Sequence, residues 1–325
     1  MASRKVKEEY LPPMPRHLRS LMDLSPAETM RVVDLALEIK ADPRSCAGAL
    51  AGRSIAMIFA KQSTRTRISF EVGIAQLGAQ SLALSSGGGS GMQMGRGESI
   101  HDTAKVMSRY VDAIVIRTFG QEEVDGLAEH GSIPVINALT DMYHPCQALA
   151  DLQTIRERHG TTKGKRLCWV GAGNNVAHSL MLAGPRAGMD VTVCCPRELA
   201  PNAFVVERAR ADAAAAGTKI ELSSDPKNAV VGADVIYADT WVSMGEEDKA
   251  KRLLWLLRDY EINDELMTRA GKQAIFMHCL PAHRNEEVTD EVMDGPQSVV
   301  FDQAENRLHA QKALLLLLLG ARAWA

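Results

Sequence analysis

The chain has 325 residues, which at about 150 residues per domain suggests two domains, each able to bury a core without disulfide staples. Its 37 Lys and Arg nearly balance 40 Asp and Glu, leaving a formal net charge of −3 and no field to hold nucleic acid or an acidic membrane. With 46% hydrophobic and 5% aromatic residues, the composition excludes disordered, collagenous and fibrous classes and is that of a cytosolic enzyme.

Along the chain, the first ten residues mix Arg4, Lys5 and Lys7 with Glu8 and Glu9. No apolar stretch or acid-poor leader is present there, so the expected compartment is the cytoplasm. Ser25, Pro26 and Glu28 form a capping box that starts a helix. Apolar, β-branched runs then predict strands at 54–59, 112–116, 133–137, 166–170, 191–195, 234–238, 274–277 and 298–301. Helical patterns fill the gaps, so the fold class is α/β, with two doubly wound domains, each on a central parallel sheet. Residues 147–159 read as one long helix, and the break at 160–164 precedes a second βαβ series. The division expected is 1–150 and 151–303, with a final helix at 304–325 packing back on the first domain. That helix carries six consecutive leucines between Lys312 and Arg322, a run about half the ~18 residues a membrane span needs. The glycine-rich stretch 85–91 is a loop of the kind enriched in lids. Six scattered cysteines, Cys46, Cys146, Cys168, Cys194, Cys195 and Cys279, form no C-x-x-C pair, which predicts reduced thiols and no metal.

The strongest local signal is K-Q-S-T-R-T-R at 61–67, between an apolar strand and a helical pattern. Ser63, Thr64 and Thr66 offer hydroxyls, Arg65 and Arg67 offer guanidinium forks, and the helix start offers free N–H groups and a favourable dipole. Together they make a phosphate cradle without a Walker glycine loop. The bland alternative is an ordinary N-cap with solvated arginines.

At this motif the chain resembles the carbamoyltransferase family, in which S-T-R-T-R holds the phosphate of carbamoyl phosphate. Further matches are Arg117, His144-Pro-Cys-Gln147, the D-T-W-V-S-M-G run from Asp239, His278-Cys-Leu-Pro281, and the F-D-Q-A-E-N-R run ending at Arg307. The D-x-x-x-S-M-G and H-C-L-P pair is similar to the members that use ornithine. The resemblance implies transfer of the carbamoyl group from carbamoyl phosphate to the δ-amine of L-ornithine, giving L-citrulline and phosphate without a cofactor. It makes residues 1–150 the carbamoyl phosphate domain and 151–303 the ornithine domain. It implies that Ser63, Thr64, Arg65, Thr66, Gln93, Arg117, His144, Gln147, Cys279, Leu280 and Arg307 meet carbamoyl phosphate. By the same resemblance Asn175, Asp239, Ser243 and Met244 meet ornithine, and the catalytic set is Arg117, His144, Asp239, Cys279 and Arg307.

The chemistry supplies its own reasons for these residue types. Attack on a mixed anhydride develops an oxyanion while phosphate departs as a dianion, so positive donors must cover both ends. The amine, taken as lysine-like, is mostly protonated near pH 8, and Asp239 suits a cation where a second carboxylate would be repelled. Cys279 beside His278 reads either as a low-pKa thiolate that helps deprotonate the amine or as an inert buried residue.

A homotrimer, or a multiple of it, is the family expectation, with Gln93 reaching a neighbouring subunit. Two departures stand out: Ala60 replaces an acidic residue frequent in the family, and the glycine loop is longer than usual. The alternatives are transfer to another amine or amino acid, and an NAD-linked oxidoreductase. The latter rests on G-A-G-N-N-V at 171–176, whose third fingerprint position is Val176, and no acidic residue ends the next strand. That turn reads instead as a close approach that presents Asn175.

Overall fold

The computed structural model describes residues 16–85, 97–242 and 247–324. Their first half runs α1 (Pro26–Ala41), β1 (Ser54–Phe59), α2 (Thr64–Gln76), β2 (Gln80–Ser85), α3 (Ile100–Met107), β3 (Ala113–Arg117), α4 (Gln121–His130), β4 (Val135–Leu139) and α5 (Pro145–His159). The second half runs β5 (Arg166–Val170), α6 (Asn175–Arg186), β6 (Asp190–Cys194), α7 (Ala203–Ala216), β7 (Ile220–Ser223), α8 (Pro226–Ala229), β8 (Val235–Ala238), α9 (Ala250–Leu257), α10 (Asp264–Ala270), β9 (Ile275–His278), α11 (Asp290–Met293) and α12 (Val300–Leu318).

Two parallel sheets result, a four-stranded one in the order β2-β1-β3-β4 and a five-stranded one in the order β7-β6-β5-β8-β9. Both are the doubly wound α/β architecture expected. Their central strands are buried end to end, β3 and β8 at every residue, which is why they appear in the sequence as continuous apolar runs. In each sheet the order reverses beside the first-formed strand, between β1 and β3 and between β5 and β8. Ligands in open α/β sheets sit at such switch points, outside the strands' carboxyl ends.

Three elements differ from the expectations. β2 and β7 were not predicted; both are edge strands with mostly exposed or half-exposed residues, so they lack the apolar run that marks a buried strand. The strand expected at 298–301 is instead a single bridge from Ser298 to Phe276 followed by the start of α12. Val299, Val300, Gln303, Asn306 and Arg307 point inward at helical spacing while Phe301 is exposed, and period 3.6 outweighs local β-propensity there.

α12 leaves the second sheet and packs against α1, α5 and α2. Leu314 to Leu317 are buried among side chains of the first domain. Lys312 is fully buried beside that run, its Nζ donating to Gln76 Oε1 at 2.9 Å. Among the described residues, no helix is long and apolar enough to cross a membrane.

The G-A-G turn after β5 is a close approach. A Cβ on Gly173 would stand 2.3 Å from the backbone nitrogen of Pro201, a contact that only a backbone shift could relieve. Gly173→Val should therefore cost about 2 kcal/mol or more in denaturant unfolding, since overpacking against backbone is not absorbed by side-chain motion. A midpoint equal to wild type would contradict this.

Candidate active site

The two switch points face one cleft of about 840 Å³. From the first sheet, the carboxyl end of β1 delivers residues 61–66 and that of β3 delivers Arg117. From the second, the end of β5 delivers 172–176, β8 delivers Asp239 to Val242 and β9 delivers Cys279 to Pro281. His144 and Arg307 complete the lining. Three bonds join the two halves: His144 N–H to Ser179 Oγ at 2.8 Å, Asn175 Nδ2 to Thr140 O at 2.6 Å and His178 Nδ1 to Met142 O at 3.0 Å.

Ser63 is the N-cap of α2, its hydroxyl accepting from Thr66 N–H at 3.2 Å. The remaining first-turn N–H groups are then free to meet an anion. Arg117 sits where the β3–β4 register slips between Ile116 and Arg117, an irregularity of the kind that re-aims a side chain. Its guanidinium is nearly buried, with Nε lacking any partner. Burial, then Arg307 and Arg65, lower its pKa to about 10. Arg307 is also buried and lowered by desolvation. Its NH1 donates to Gln147 Oε1 at 2.7 Å and its NH2 to Thr66 Oγ1 at 3.4 Å. It stands two turns into α12 rather than at its start. Buried Arg117 and Arg307 and the exposed Arg65 thus line the same cleft, with no carboxylate bonded to any of them among the described residues.

His144 is buried beside the same cluster. Burial, then Arg307 and Arg117, hold it well below the ordinary imidazole range, so it is a neutral ring at neutral pH. Its Nδ1 has no partner. Gln147 lies behind the wall, bonded to Arg307 on one side and to Asp151 on the other.

On the opposite wall, Asp239 accepts from Asn174 Nδ2 at 2.8 Å and from its neighbour Thr240 N–H at 2.8 Å. Cys279 Sγ also donates to Asp239 Oδ1, at 2.9 Å. Burial, then Asp239, push the Cys279 thiol well above its usual range. The thiolate reading of Cys279 is therefore corrected: it is a protonated donor, because the nearest charge is negative. His278 cannot activate it, since its Nδ1 accepts from Leu280 N–H at 2.9 Å and its Nε2 faces Glu287. The other five cysteines are buried and unpaired.

Asn175 lines the cleft, but its amide is committed to Thr140 O. The residue that touches Asp239 is Asn174, which the sequence reading passed over. It caps α6 through Oδ1, accepting from Val176 and Ala177, and keeps its amide nitrogen for Asp239. An Asn at an N-cap beside a glycine turn is the signal that could have found it. Gln93, Ser243 and Met244 lie outside the described residues.

A second set of residues left no local trace in the sequence. Asp151, fully buried on α5, accepts from Gln147 Nε2 at 2.9 Å, from Gln303 Nε2 at 2.8 Å and from Tyr237 OH at 3.1 Å. Gln303 in turn accepts from His278 N–H at 2.8 Å. A continuous polar chain therefore runs from Arg307 through Gln147, Asp151 and Gln303 to the foot of the Cys279 turn, linking α5, α12, β8 and β9.

Burial raises the Asp151 carboxyl to about 7. Because the folded state holds this proton more tightly than the unfolded chain, stability is fully present near pH 4 and declines as pH rises through 7. Asp151→Asn should remove a decline on the order of 3 kcal/mol between pH 5 and pH 8. Urea unfolding across that range is the check, and an unchanged slope would refute it.

A sequence profile described as the carbamoyl-P binding domain of aspartate/ornithine carbamoyltransferase matches residues 16–157, and one described as its Asp/Orn binding domain matches 163–318. The chain is 52% identical over 301 residues to an ornithine carbamoyltransferase of Rhodococcus jostii, covering 92% of this chain and 95% of that protein. It is 51% identical over 309 residues to one of Acidothermus cellulolyticus, covering 95% and 98%. A solved ornithine carbamoyltransferase from Pyrococcus furiosus superimposes with a TM-score of 0.91 at 48% identity, covering 96% of this chain and all of that one. Matched over residues 16–157 and 163–318, with its cleft lined from both matched halves, this chain belongs to the aspartate/ornithine carbamoyltransferase family.

Proposed function

We propose that the protein transfers the carbamoyl group of carbamoyl phosphate to the δ-amine of L-ornithine, giving L-citrulline and phosphate. The observation that carries this reading is the convergence of Arg65, Arg117 and Arg307 on the N-terminus of α2. Repulsion between the two desolvated guanidiniums, Arg117 and Arg307, is costly, and a doubly charged acyl phosphate relieves it. Ser63, Thr64, Arg65, Thr66 and Arg117 hold the phosphate. Thr66, Arg117 and neutral His144 donate to the carbonyl oxygen as it gains negative charge, a contribution on the order of 3 kcal/mol per donor. Arg307 meets the amide end of the donor, held in place by Gln147 behind it.

Across the cleft, Asp239 pairs with the incoming ammonium and takes its proton. The freed nitrogen lone pair forms the new C–N bond, the C–O bond breaks with its electron pair leaving on phosphate, and a phosphate oxygen takes the second proton that the nitrogen sheds. Cys279 and Asn174 orient the carboxylate, the Leu280 carbonyl lies alongside the amine, and Asn175, Ser243 and Met244 serve the amino-acid end. The Asp239 carboxylate facing the amine favours a cationic acceptor over aspartate. Dehydrogenase chemistry gains no support, since the glycine turn is filled by Pro201.

Citrulline formation, measured with ornithine, aspartate, N-acetylornithine and putrescine side by side, tests the reading. Ornithine should exceed every other acceptor by at least ~100-fold, the discrimination expected when buried polar groups go unpaired; preference for another acceptor would overturn the specificity. A homotrimer, or a multiple of it, belongs to the same proposal. Ile68, Val72 and Leu82, on α2 and β2, are exposed apolar side chains that a neighbouring subunit would cover. Sedimentation of a fully active single chain would remove it. Six unpaired thiols support a reducing compartment such as the cytoplasm.

A further inference from the structure

The turn after β9 carries Cys279 and Leu280 into the cleft, yet its shape is set by two residues that never reach it. Leu280 holds a left-handed backbone with φ of 60°, an unfavourable conformation for a branched side chain. Its N–H donates to His278 Nδ1 at 2.9 Å. Since Nδ1 accepts, the ring proton resides on Nε2, which points at Glu287 Oε1, 3.2 Å away. The same oxygen accepts from His283 N–H at 2.5 Å. Both His278 and Glu287 are fully buried, and Glu287 Oε2 has no partner.

A buried carboxylate with one unsatisfied oxygen is a poor choice for stability alone, because an apolar pair of the same volume would be cheaper. Its geometry explains its presence better. One oxygen grips the imidazole and the far end of the turn at His283, and the imidazole grips the near end at Leu280. The segment between them carries the thiol that orients Asp239 and the carbonyl beside the amine. The backbone of His278 is itself fixed by Gln303, so the ring has little freedom once both of its nitrogens are engaged.

We infer that Glu287, acting through His278, is a positioning residue that holds the Cys279–Leu280 turn in reacting geometry. This rests on the carbamoyl-transfer reading above. What matters is the reach of an accepting oxygen, not its charge. Glu287→Gln preserves that oxygen and puts its amide nitrogen where the unpartnered oxygen lies. Glu287→Asp keeps the charge but withdraws the oxygen by about one C–C bond length, ~1.5 Å.

The test compares both variants with wild type in citrulline formation and in the rate of alkylation of Cys279, the one partly exposed cysteine of the six. Glu287→Asp should lower kcat by roughly 30-fold, the scale of loss that an ångström of misplacement produces. Its KM for carbamoyl phosphate should stay within about 2-fold, since that substrate's cradle is on the other wall. Alkylation should be at least about 5-fold faster as the thiol loses its fixed partner. Glu287→Gln should stay within about 3-fold of wild type in all three measures, the small change of a retained acceptor. A Glu287→Asp chain with wild-type kcat, or a Glu287→Gln chain as impaired as Glu287→Asp, would overturn the inference. Wild type that forms no citrulline would instead overturn the functional reading, and the alkylation rates would still report on the turn.

Discussion

Arg117→Met should bind carbamoyl phosphate at least ~100-fold more weakly and lower kcat by at least ~100-fold, yet unfold at no lower temperature than wild type. The two halves of this expectation come from one cause. Arg117 is nearly buried, lacks a partner at Nε and has its pKa lowered to about 10 by burial and two neighbouring guanidiniums. Keeping it charged at neutral pH costs the apo protein on the order of 3 kcal/mol. Met matches its stem and removes that cost. It also removes the group that counters both the phosphate and the developing oxyanion, so ligand can no longer stabilise the fold through it. Thermal unfolding with and without carbamoyl phosphate, beside steady-state kinetics, reads both signs. A variant that melts lower than wild type and still gains stability from the ligand would mean the three arginines are not an anion site.

Asp239→Asn should reduce kcat/KM for ornithine roughly 10²–10³-fold, the penalty for leaving a buried cation and its donors unpaired. Carbamoyl phosphate affinity should stay within about 3-fold, because the cradle is on the other wall. Three donors, from Asn174, Thr240 and Cys279, converge on the two Asp239 oxygens. An amide offers one oxygen and turns its NH2 toward either the Asn174 amide or the Cys279 thiol, so a donor faces a donor. Because Asp239 also takes the ammonium's proton, the loss should shrink as pH rises from 6 to 9 and more of the amine is already neutral. Equal loss of affinity for both substrates would place Asp239 in the structural frame and not at the amine.

The sequence made the central strands and the S-T-R-T-R helix start after β1 legible because both are local. An apolar run of five or six residues buries on both faces wherever it falls, and S-T-R-T-R after such a run brings its donors with it. The edge strands β2 and β7 escaped because solvent covers one side and relaxes the pattern. The buried polar partners escaped for a different reason. Asp151 meets Gln303 and Tyr237, and Arg307 meets Thr66, across separations of 152, 86 and 241 residues. No periodicity encodes such meetings. Glu287 stands in a charged stretch with no local signal to set it apart, and the protonation of Cys279 depends on Asp239, 40 residues away in the chain. The strand wrongly expected at 298–301 shows the same limit, since only the burial of Gln303 and Arg307 reveals the helical phase.

The route of α12 has a bearing on how the molecule is made. The leucines that close the core beneath the first sheet are synthesised after every strand of both sheets, and Arg307 travels with them. A ribosome-bound chain can finish the second sheet while the earlier domain still lacks its final wall and the cleft its third arginine. Until that helix docks, the older half exposes an apolar trough. The nascent protein therefore completes the lining of its cleft and gains protection from aggregation in the same late step.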